Sequence, residues 1–242
     1  MSNKVLIYGG SGGIGSAIAR QLKKSGYDLH LVGRSETALA ALASELTATF
    51  TRGDVTDPDL FGQVMDDAGK ELQGLVYAVG TINLRSLRQL SAADFLKDFQ
   101  VNASGAALAV QAALSSLRKG TQPTSVVLFS SVAASQGFIN HTSMGMAKAA
   151  VSGLTLSLAA ELAPRVRVNA IAPSLTETPL AAPLTNNPTM AEALAKMHAL
   201  LRLGTPEDIA ALACFLLSQE SAWMTGQILG LDGGRSTLRI RS

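Results

Sequence analysis

The stretch KVLIYGGSGGIGSAIA, residues 4–19, decides the fold because a glycine-rich turn joins a short apolar run to a helical pattern. Gly9, Gly13 and Gly15 allow a tight turn and let backbone N–H groups approach a ligand, while the N-terminus of the following helix favours negative charge. A glycine triplet between a strand and a helix predicts a pyrophosphate-binding turn at the start of a βαβ unit.

Outward from that turn, short β-branched runs alternate with longer helical patterns. Strands are predicted at residues 4–8, 28–32, 48–55, 74–79, 125–130, 165–172 and 226–231. This alternation predicts an α/β, Rossmann-like fold, in which helices cover both faces of a doubly wound parallel sheet of about seven strands, giving three layers. No linker or fixed-period repeat interrupts the pattern, so we expect a single domain over residues 1–242.

The amino-acid composition indicates which partners and sites the protein is not expected to have. Of the 242 residues, 47% are hydrophobic and 16% charged, and the net charge of +2 has both signs scattered along the chain. We therefore expect neither a nucleic-acid nor a membrane partner, and Arg235, Arg239 and Arg241 are too few to change this. The single cysteine, Cys214, lies in an apolar run; we expect it in the core, with no metal site and a cytoplasmic location.

Two predicted helices carry apolar residues on more than one face. One has the stripe Leu96, Phe99, Ala103, Ala106, Val110, Ala113 and Leu117, and the other has Met144, Ala147, Val151, Leu154 and Leu158. A helix that is apolar on two faces needs two partners, so we expect a homodimer or homotetramer. A third long segment, residues 174–203, is broken by three prolines and predicts a substrate-covering loop.

The end of the second predicted strand distinguishes the two nicotinamide cofactors. Gly33 is followed by Arg34 and Ser35, with no acid at this strand end. An arginine binds a phosphate through two parallel hydrogen bonds and a serine hydroxyl adds a donor, whereas a carboxylate would bind a free ribose hydroxyl. NADP is therefore favoured over NAD. The alternative is that Arg34 is an ordinary solvated arginine.

Over almost its whole length the chain resembles the short-chain dehydrogenase/reductase family. The matching positions are Gly9, Gly13, Ile14, Gly15, Asp54, Val55, Asn102, Ser130, Ser131, Lys148, Asn169, Thr178 and residues 231–234. The resemblance implies the strand order 3-2-1-4-5-6-7, the cofactor at the carboxyl ends of the strands, and oligomers packed through the two helices above. It implies a cofactor site formed by Gly9, Ser11, Gly13, Ile14, Gly15, Arg34, Ser35, Asp54, Val55, Ala78, Gly80, Lys148 and Thr178.

The reactive residues depart from the family pattern. In the family a Ser polarises a carbonyl, a Tyr transfers the proton, and a Lys four residues later holds the nicotinamide ribose. Here Met144 stands four residues before Lys148, and a thioether cannot transfer a proton. The stretch after the fourth strand also differs, reading YAVG at 77–80 where the family has Asn-Asn-Ala-Gly.

A histidine can replace the missing phenol. The segment HTSMGMAKAA, residues 141–150, resembles enoyl-ACP reductases, in which the Tyr precedes the Lys with six residues between; His141 has that spacing from Lys148. Seven helical residues span ~10.5 Å and return to nearly the same face, so both side chains would line one side of the helix. Imidazole can donate or accept a proton. The other readings are that His141 is only a helix-start residue and that Met144 only fills space.

Two functions are compatible with these residues. The first is an NADP-dependent oxidoreductase acting on a carbonyl or a conjugated alkene, with Ser131, His141, Lys148 and Asn102 as its catalytic residues. Ser131 is preferred to its neighbour because it lies thirteen residues before Met144, the family's Ser-to-Tyr spacing. The alternative is a catalytically silent NADP(H)-binding sensor or partner subunit. The other two histidines, at positions 30 and 198, have no partner pattern and are assigned no chemistry.

Overall fold

The apolar runs form one parallel sheet in the computed structural model, which describes residues 3–239. The strands are β1 (Lys4–Tyr8), β2 (Asp28–Gly33), β3 (Thr49–Arg52), β4 (Gly74–Tyr77), β5 (Thr124–Phe129), β6 (Val166–Pro173) and β7 (Ile228–Leu231). Their order is β3-β2-β1-β4-β5-β6-β7, and each neighbouring pair is parallel. The predicted doubly wound fold and its strand order are confirmed.

Helices cover both faces of the sheet. They are α1 (Gly13–Lys24), α2 (Glu36–Leu46), α3 (Leu60–Ala68), α4 (Ala92–Phe99), α5 (Gly105–Leu117), α6 (Thr142–Leu162), α7 (Ala182–Thr185), α8 (Pro188–Ala195) and α9 (Pro206–Leu217). Apolar residues of α1, α2 and α9 pack on one face, and those of α3, α5 and α6 pack on the other. Burial of apolar surface in these two layers is the main stabilising contribution to the fold.

Strands β3 and β4 are shorter than the predicted 48–55 and 74–79. The reason for β3 is that it pairs only with β2, and their ladder ends where Gly33 lies opposite Arg52. The residues that follow these strands, including Asp54, therefore lie in loops at the carboxyl edge of the sheet, where open α/β sheets bind their ligands.

The apolar stripe predicted over residues 96–117 is interrupted. A π-helical turn, Gln100–Ser104, joins α4 to α5, and its i→i+5 hydrogen bonds insert an extra residue into the helix. The extra residue rotates α4 relative to α5, so Leu96 and Phe99 are 70% and 44% exposed while the stripe is buried from Ala103 onward. Leu96 and Phe99 therefore do not lie on the buried face that holds the rest of the predicted stripe.

The other features predicted from composition are placed as follows. Cys214, on α9, packs against the core, and burial raises the pKa of its thiol to about 12. Arg241 lies outside the described residues. Within residues 3–239, no helix combines the length and the apolar character needed to cross a membrane.

Two histidines have structural roles, in agreement with their having been assigned no chemistry. His30 lies between the hydroxyls of Thr49 and Thr51, at 2.8 and 3.0 Å, and its burial lowers the pKa of the ring to about 4. His198, in the segment 174–203, donates from Nδ1 to the carbonyl oxygen of Leu194, and its Nε2 lies 2.8 Å from Ser174 Oγ. The contact between His198 and Ser174 therefore connects the end of the segment 174–203 with its beginning.

Candidate functional site

The glycine turn brings β1 and α1 together. Gly9 has a φ of +77°, which favours glycine, and a Cβ on Gly15 would lie 2.1 Å from the carbonyl oxygen of Gly9. No side chain caps α1 at Gly12, and the first turn of α1 has no acidic residue. The first N–H groups of a helix have no intrahelical acceptor, so this end can bind a phosphate. The turn fits the pyrophosphate of a dinucleotide.

Thr178 lies directly over the glycine turn. A Cβ on Gly13 would be 2.8 Å from the Thr178 side chain. Thr178 and Ile14, one residue after Gly13, both line the cavity described below. The start of the segment 174–203 therefore packs directly against the glycine turn.

The end of β2 places Arg34 and Ser35 at the carboxyl edge of the sheet. The Arg34 side chain is 82% exposed and its Nη1 lies 3.8 Å from Asp54 Oδ2, while Ser35 Oγ caps α2 by accepting from Ala38 N. The end of β2 itself contains no acidic residue, but the carboxylate of Asp54, in the loop after β3, lies close to it. Hydrogen bonds from Thr56 to the Asp54 carboxylate hold the pKa of Asp54 below its usual value. Because most of the Arg34 side chain is exposed, it can turn from Asp54 toward a ligand phosphate.

The remaining predicted cofactor residues lie along the same edge. Ser11 Oγ would be 2.9 Å from a Cβ on Gly33. Val55 is buried beneath the loop after β3. Ala78 and Gly80, which follow β4, line the cavity. The structure therefore brings the predicted cofactor residues to one edge of the sheet.

A cavity of about 280 Å³ opens at the carboxyl ends of β4, β5 and β6. Its polar lining consists of Thr81, Ser130, Ser131, His141, Lys148, Ser174, Thr176, Thr178 and Arg235. The other lining residues are apolar and come from α1, from the ends of β5 and β6, from the loops after β4 and β5, from α6 and from the segment 174–203. Its volume is close to the lower end of the range of small-molecule sites.

The two serines after β5 have different surroundings. Ser130 Oγ is buried, donates to the carbonyl oxygen of Lys148 at 3.0 Å and lies 2.8 Å from Ser152 Oγ. Ser131 Oγ accepts from Ala133 N at 3.1 Å, which leaves its hydroxyl hydrogen available. Ser131 can therefore donate to a substrate oxygen, whereas Ser130 ties β5 to α6.

Lys148 is buried at the inner end of the cavity. Its side chain is 7% exposed, and Nζ donates to the carbonyl oxygen of Phe129 at 2.8 Å. Burial in apolar surroundings disfavours the cation and lowers the pKa of Lys148 to about 8. At pH 7 the ammonium group is still charged, and it can donate to ribose hydroxyls.

Asn102 faces Lys148 across Gly80. A Cβ on Gly80 would lie 3.0 Å from Asn102 Oδ1 and 3.2 Å from Lys148 Nζ. The amide nitrogen of Asn102 donates to Thr81 Oγ1 at 3.0 Å and to the carbonyl oxygen of Asp98 at 2.8 Å. Asn102 Oδ1 is buried and has no partner within residues 3–239. Since a buried acceptor normally has a partner, this oxygen fits a water that is hydrogen-bonded in turn to Lys148.

Asp98 is a site residue that sequence reasoning missed. It is 3% exposed and accepts from Thr81 Oγ1 at 2.7 Å, from Asn83 Nδ2 at 3.2 Å and from Ser143 Oγ at 2.7 Å. These bonds connect α4 with the loop after β4 and with the first turn of α6. Asp98 therefore orients Thr81, which in turn orients Asn102. The sequence did contain a signal for this residue, because Asp98 is an acid four residues before Asn102 and has apolar neighbours in the helix.

His141 immediately precedes α6 and lines the cavity. Its Nδ1 lies 2.7 Å from the carbonyl oxygen of Ile139, which can only accept, so Nδ1 carries a hydrogen. Nε2 has no hydrogen-bond partner within residues 3–239 and can carry or release a proton. Met144, 8% exposed, lies one helical turn beyond it and lines the same cavity.

No tyrosine of residues 3–239 supplies the missing phenol. The chain contains three, Tyr8, Tyr27 and Tyr77, and none of them lines the cavity. Tyr8 and Tyr77 are fully buried in the core, and desolvation raises the pKa of both. Tyr77 also donates to the carbonyl oxygen of Val101 at 2.7 Å. None of the three tyrosines is therefore placed to transfer a proton in this cavity.

Known proteins resemble this chain over nearly all of its length. A family model described as enoyl-(acyl carrier protein) reductase matches residues 9–236. The L-2,3-butanediol dehydrogenase of Corynebacterium glutamicum is 31% identical over 97% of this chain and 98% of its own length. A solved structure of a short-chain type dehydrogenase/reductase from Mycobacterium ulcerans has a TM-score of 0.91 at 30% identity, covering 99% of this chain and 92% of that one. A structure of an ElxO variant with NADPH bound has a TM-score of 0.89 at 28% identity, covering 98% and 100%.

Proposed function

The chain belongs to the short-chain dehydrogenase/reductase family and is an oxidoreductase of that type, and on that premise we propose that it uses NADP(H) on a carbonyl or a conjugated alkene. One observation carries the proposal: Ser131, His141 and Lys148 line a single cavity that continues to the glycine turn. The bound nicotinamide would supply or accept the hydride.

During reduction of a carbonyl, each of the polar side chains of the cavity has a separate role. Ser131 donates a hydrogen bond to the substrate oxygen, where negative charge develops as the carbonyl carbon is reduced. Lys148 holds the nicotinamide ribose and contributes positive charge. His141, as the imidazolium with hydrogens on both nitrogens, then gives the Nε2 proton to the new alkoxide, keeps the Nδ1 hydrogen bonded to the Ile139 carbonyl and is reprotonated from solvent. Asn102 Oδ1 holds the water that joins Lys148 to this network.

Reduction of a conjugated alkene depends less on a protein proton donor than reduction of a ketone does. Its reduction yields an enolate on the oxygen that Ser131 binds, and solvent can protonate the enolate carbon. The absence of a phenol at Met144 therefore affects alkene reduction less than ketone reduction. The segment 174–203 contributes apolar side chains to the cavity and, in this proposal, covers the substrate.

Arg34→Ala is expected to weaken NADPH binding by about tenfold to a hundredfold and to leave NADH binding unchanged. The reason is that only NADPH carries the 2′-phosphate, and a charge-assisted hydrogen bond to it contributes about 1.5–3 kcal/mol. Fluorescence titration of both cofactors measures the two dissociation constants. Arg20→Ala is the control, because Arg20 pairs with Glu45 away from the cavity. Equal loss of affinity for both cofactors would contradict the assignment.

We also infer that a second copy of the chain covers the apolar helix surfaces that remain exposed. Leu108 on α5 and Leu156 on α6 are 37% and 53% exposed in the single chain. Leu156→Glu would place a charge in that contact, so it is expected to shift a dimer or tetramer toward single chains. Light scattering measures the mass, and thermal unfolding checks the fold of the variant. A wild-type protein with the mass of one chain would contradict the inference.

The proposed function is tested by NADPH consumption with a panel of ketones, quinones and enones. We expect turnover with a member of at least one class, and larger rates for enones than for the corresponding saturated ketones. Titration of NADPH accompanies the assay. If NADPH binds tightly and no compound in the panel oxidises it, the chain would be a cofactor binder without turnover and the proposal would be wrong.

A further inference from the structure

Arg235 is a cation of the cavity that the mechanism above does not use. It lies just after β7, and its guanidinium carbon is 5.0 Å from the centroid of the Phe138 ring. The Phe138 ring is in turn 5.3 Å from the ring of His141. Phe138 thus contacts both groups, and Arg235 lies on the same side of the cavity as the proposed proton donor.

Arg235 forms no direct ion pair in the described part of the chain, although the negative charge of the nearby Asp232 acts on it. Within residues 3–239 its side chain takes part in no ion pair, and no Asp or Glu lines the cavity. The nearby Asp232 uses both carboxylate oxygens to accept from backbone N–H groups, at 2.8 Å from Gly234 and 3.0 Å from Ser236. Partial burial lowers the pKa of Arg235, so an anion placed beside it would recover part of the desolvation cost.

The residues that line the cavity around Arg235 indicate the polarity of the rest of the ligand. The segment 174–203 supplies apolar walls to the cavity through Leu180, Leu184 and Leu194. A guanidinium beside such walls fits a molecule that has one carboxylate and otherwise hydrocarbon, because a planar carboxylate can take two parallel hydrogen bonds from it. A neutral ligand would leave the guanidinium partly desolvated and without an acceptor.

We propose that Arg235 binds the carboxylate of the substrate, which is an apolar keto acid or unsaturated acid. This proposal rests on the proposed function for the existence of a reacting carbonyl or alkene, but the binding of the carboxylate does not depend on turnover. The carboxylate lies against Phe138, which places the reacting carbon near His141 and Ser131. Arg235 is thus a specificity-determining residue.

Calorimetry with octanoate and octanamide tests this proposal on the protein saturated with NADP+. The two probes have the same chain and differ in charge. We expect octanoate to bind at least about tenfold more tightly than octanamide, in line with the strength of charge-assisted hydrogen bonds. Arg235→Met should reduce the affinity for octanoate to that for octanamide. Arg239→Met, which removes an exposed arginine outside the cavity lining, should have no effect.

Two results would overturn the carboxylate site. One is equal binding of octanoate and octanamide by the wild-type protein, a comparison that needs no variant. The other is unchanged octanoate binding in Arg235→Met when NADP+ binding and the unfolding temperature show that the variant is folded. Selective octanoate binding without any NADPH turnover would support the Arg235 site and count against the proposed function, so the two failures are distinguishable.

Discussion

Lys148→Met is expected to lower kcat/KM by about 10²–10³ while making the folded protein more stable. The loss of activity follows from removing a buried ammonium group that holds the ribose and stabilises negative charge in the site, since loss of one such donor typically costs this much. Steady-state kinetics with NADPH measures the first effect. Lys24→Met, on the exposed end of α1, is the control and should behave as the wild type.

The gain in stability follows from the lowered pKa of Lys148. Folding lowers this pKa from 10.5 to about 8, so the fold disfavours the cation by about 3 kcal/mol at pH 7. Loss of the hydrogen bond to the Phe129 carbonyl offsets roughly 1 kcal/mol of what the variant gains. Urea denaturation of the cofactor-free protein should therefore show Lys148→Met to be more stable by about 2 kcal/mol at pH 7.

The sign of the pH dependence separates this effect from a general loss of structure. The penalty on the wild type is fully present below pH 8 and disappears as the pH rises from about 8 to 10.5, where the unfolded lysine also loses its proton. The stability difference between the two proteins should shrink over that range. A variant that is less stable than the wild type at pH 7, or a difference that is independent of pH, would contradict the burial of a charged Lys148.

His141→Ala is expected to lower kcat for ketone reduction by about 10²-fold and to leave NADPH binding unchanged. General acid catalysis by a positioned side chain contributes about 10²–10⁴-fold, and the low end applies if water partly takes over. Enone reduction should fall less, because solvent can protonate the enolate carbon. Parallel kinetics on a ketone and an enone of the same carbon skeleton measure the two losses.

Met144→Leu is the matched control for His141→Ala. It lies one turn away in the same cavity, keeps the volume of the side chain and cannot transfer a proton in either form. Turnover should therefore stay close to that of the wild type. If His141→Ala retains full ketone activity, the imidazole is not the proton donor, and water bound near Asn102 would have to be.

The alternating strand and helix patterns predicted the layers because they leave few topologies, whereas the strand order was predicted from the resemblance to the family. It could not predict the π-helical turn at Gln100–Ser104, since apolar periodicity does not record a slip in backbone hydrogen bonding. That turn is why Leu96 and Phe99 face solvent instead of the core. Asp98 was missed because an acidic residue in a helix usually predicts an exposed position, and its three donors come from two other segments, the loop after β4 and the first turn of α6.

Several site contacts depend on tertiary structure that local patterns do not contain. Asp54 reaches Arg34 only because β2 and β3 are adjacent and in register. Arg235 belonged to a short basic tail in the sequence, yet positive-φ conformations at Gly233 and Gly234 precede it and its side chain lies over Phe138. By contrast, Ser131, His141 and Lys148 were predicted from their match to the spacings of the family, and the structure places them in one cavity.

A crystal structure of the protein with NADP+ and octanoate would check the claim that the imidazole of His141 replaces the missing phenol beside the nicotinamide. We expect His141 Nε2, or a water bound to it, within hydrogen-bond reach of the space next to nicotinamide C4, with Ser131 Oγ facing the same space. An imidazole turned away from the nicotinamide, with no chain of waters connecting them, would contradict the claim.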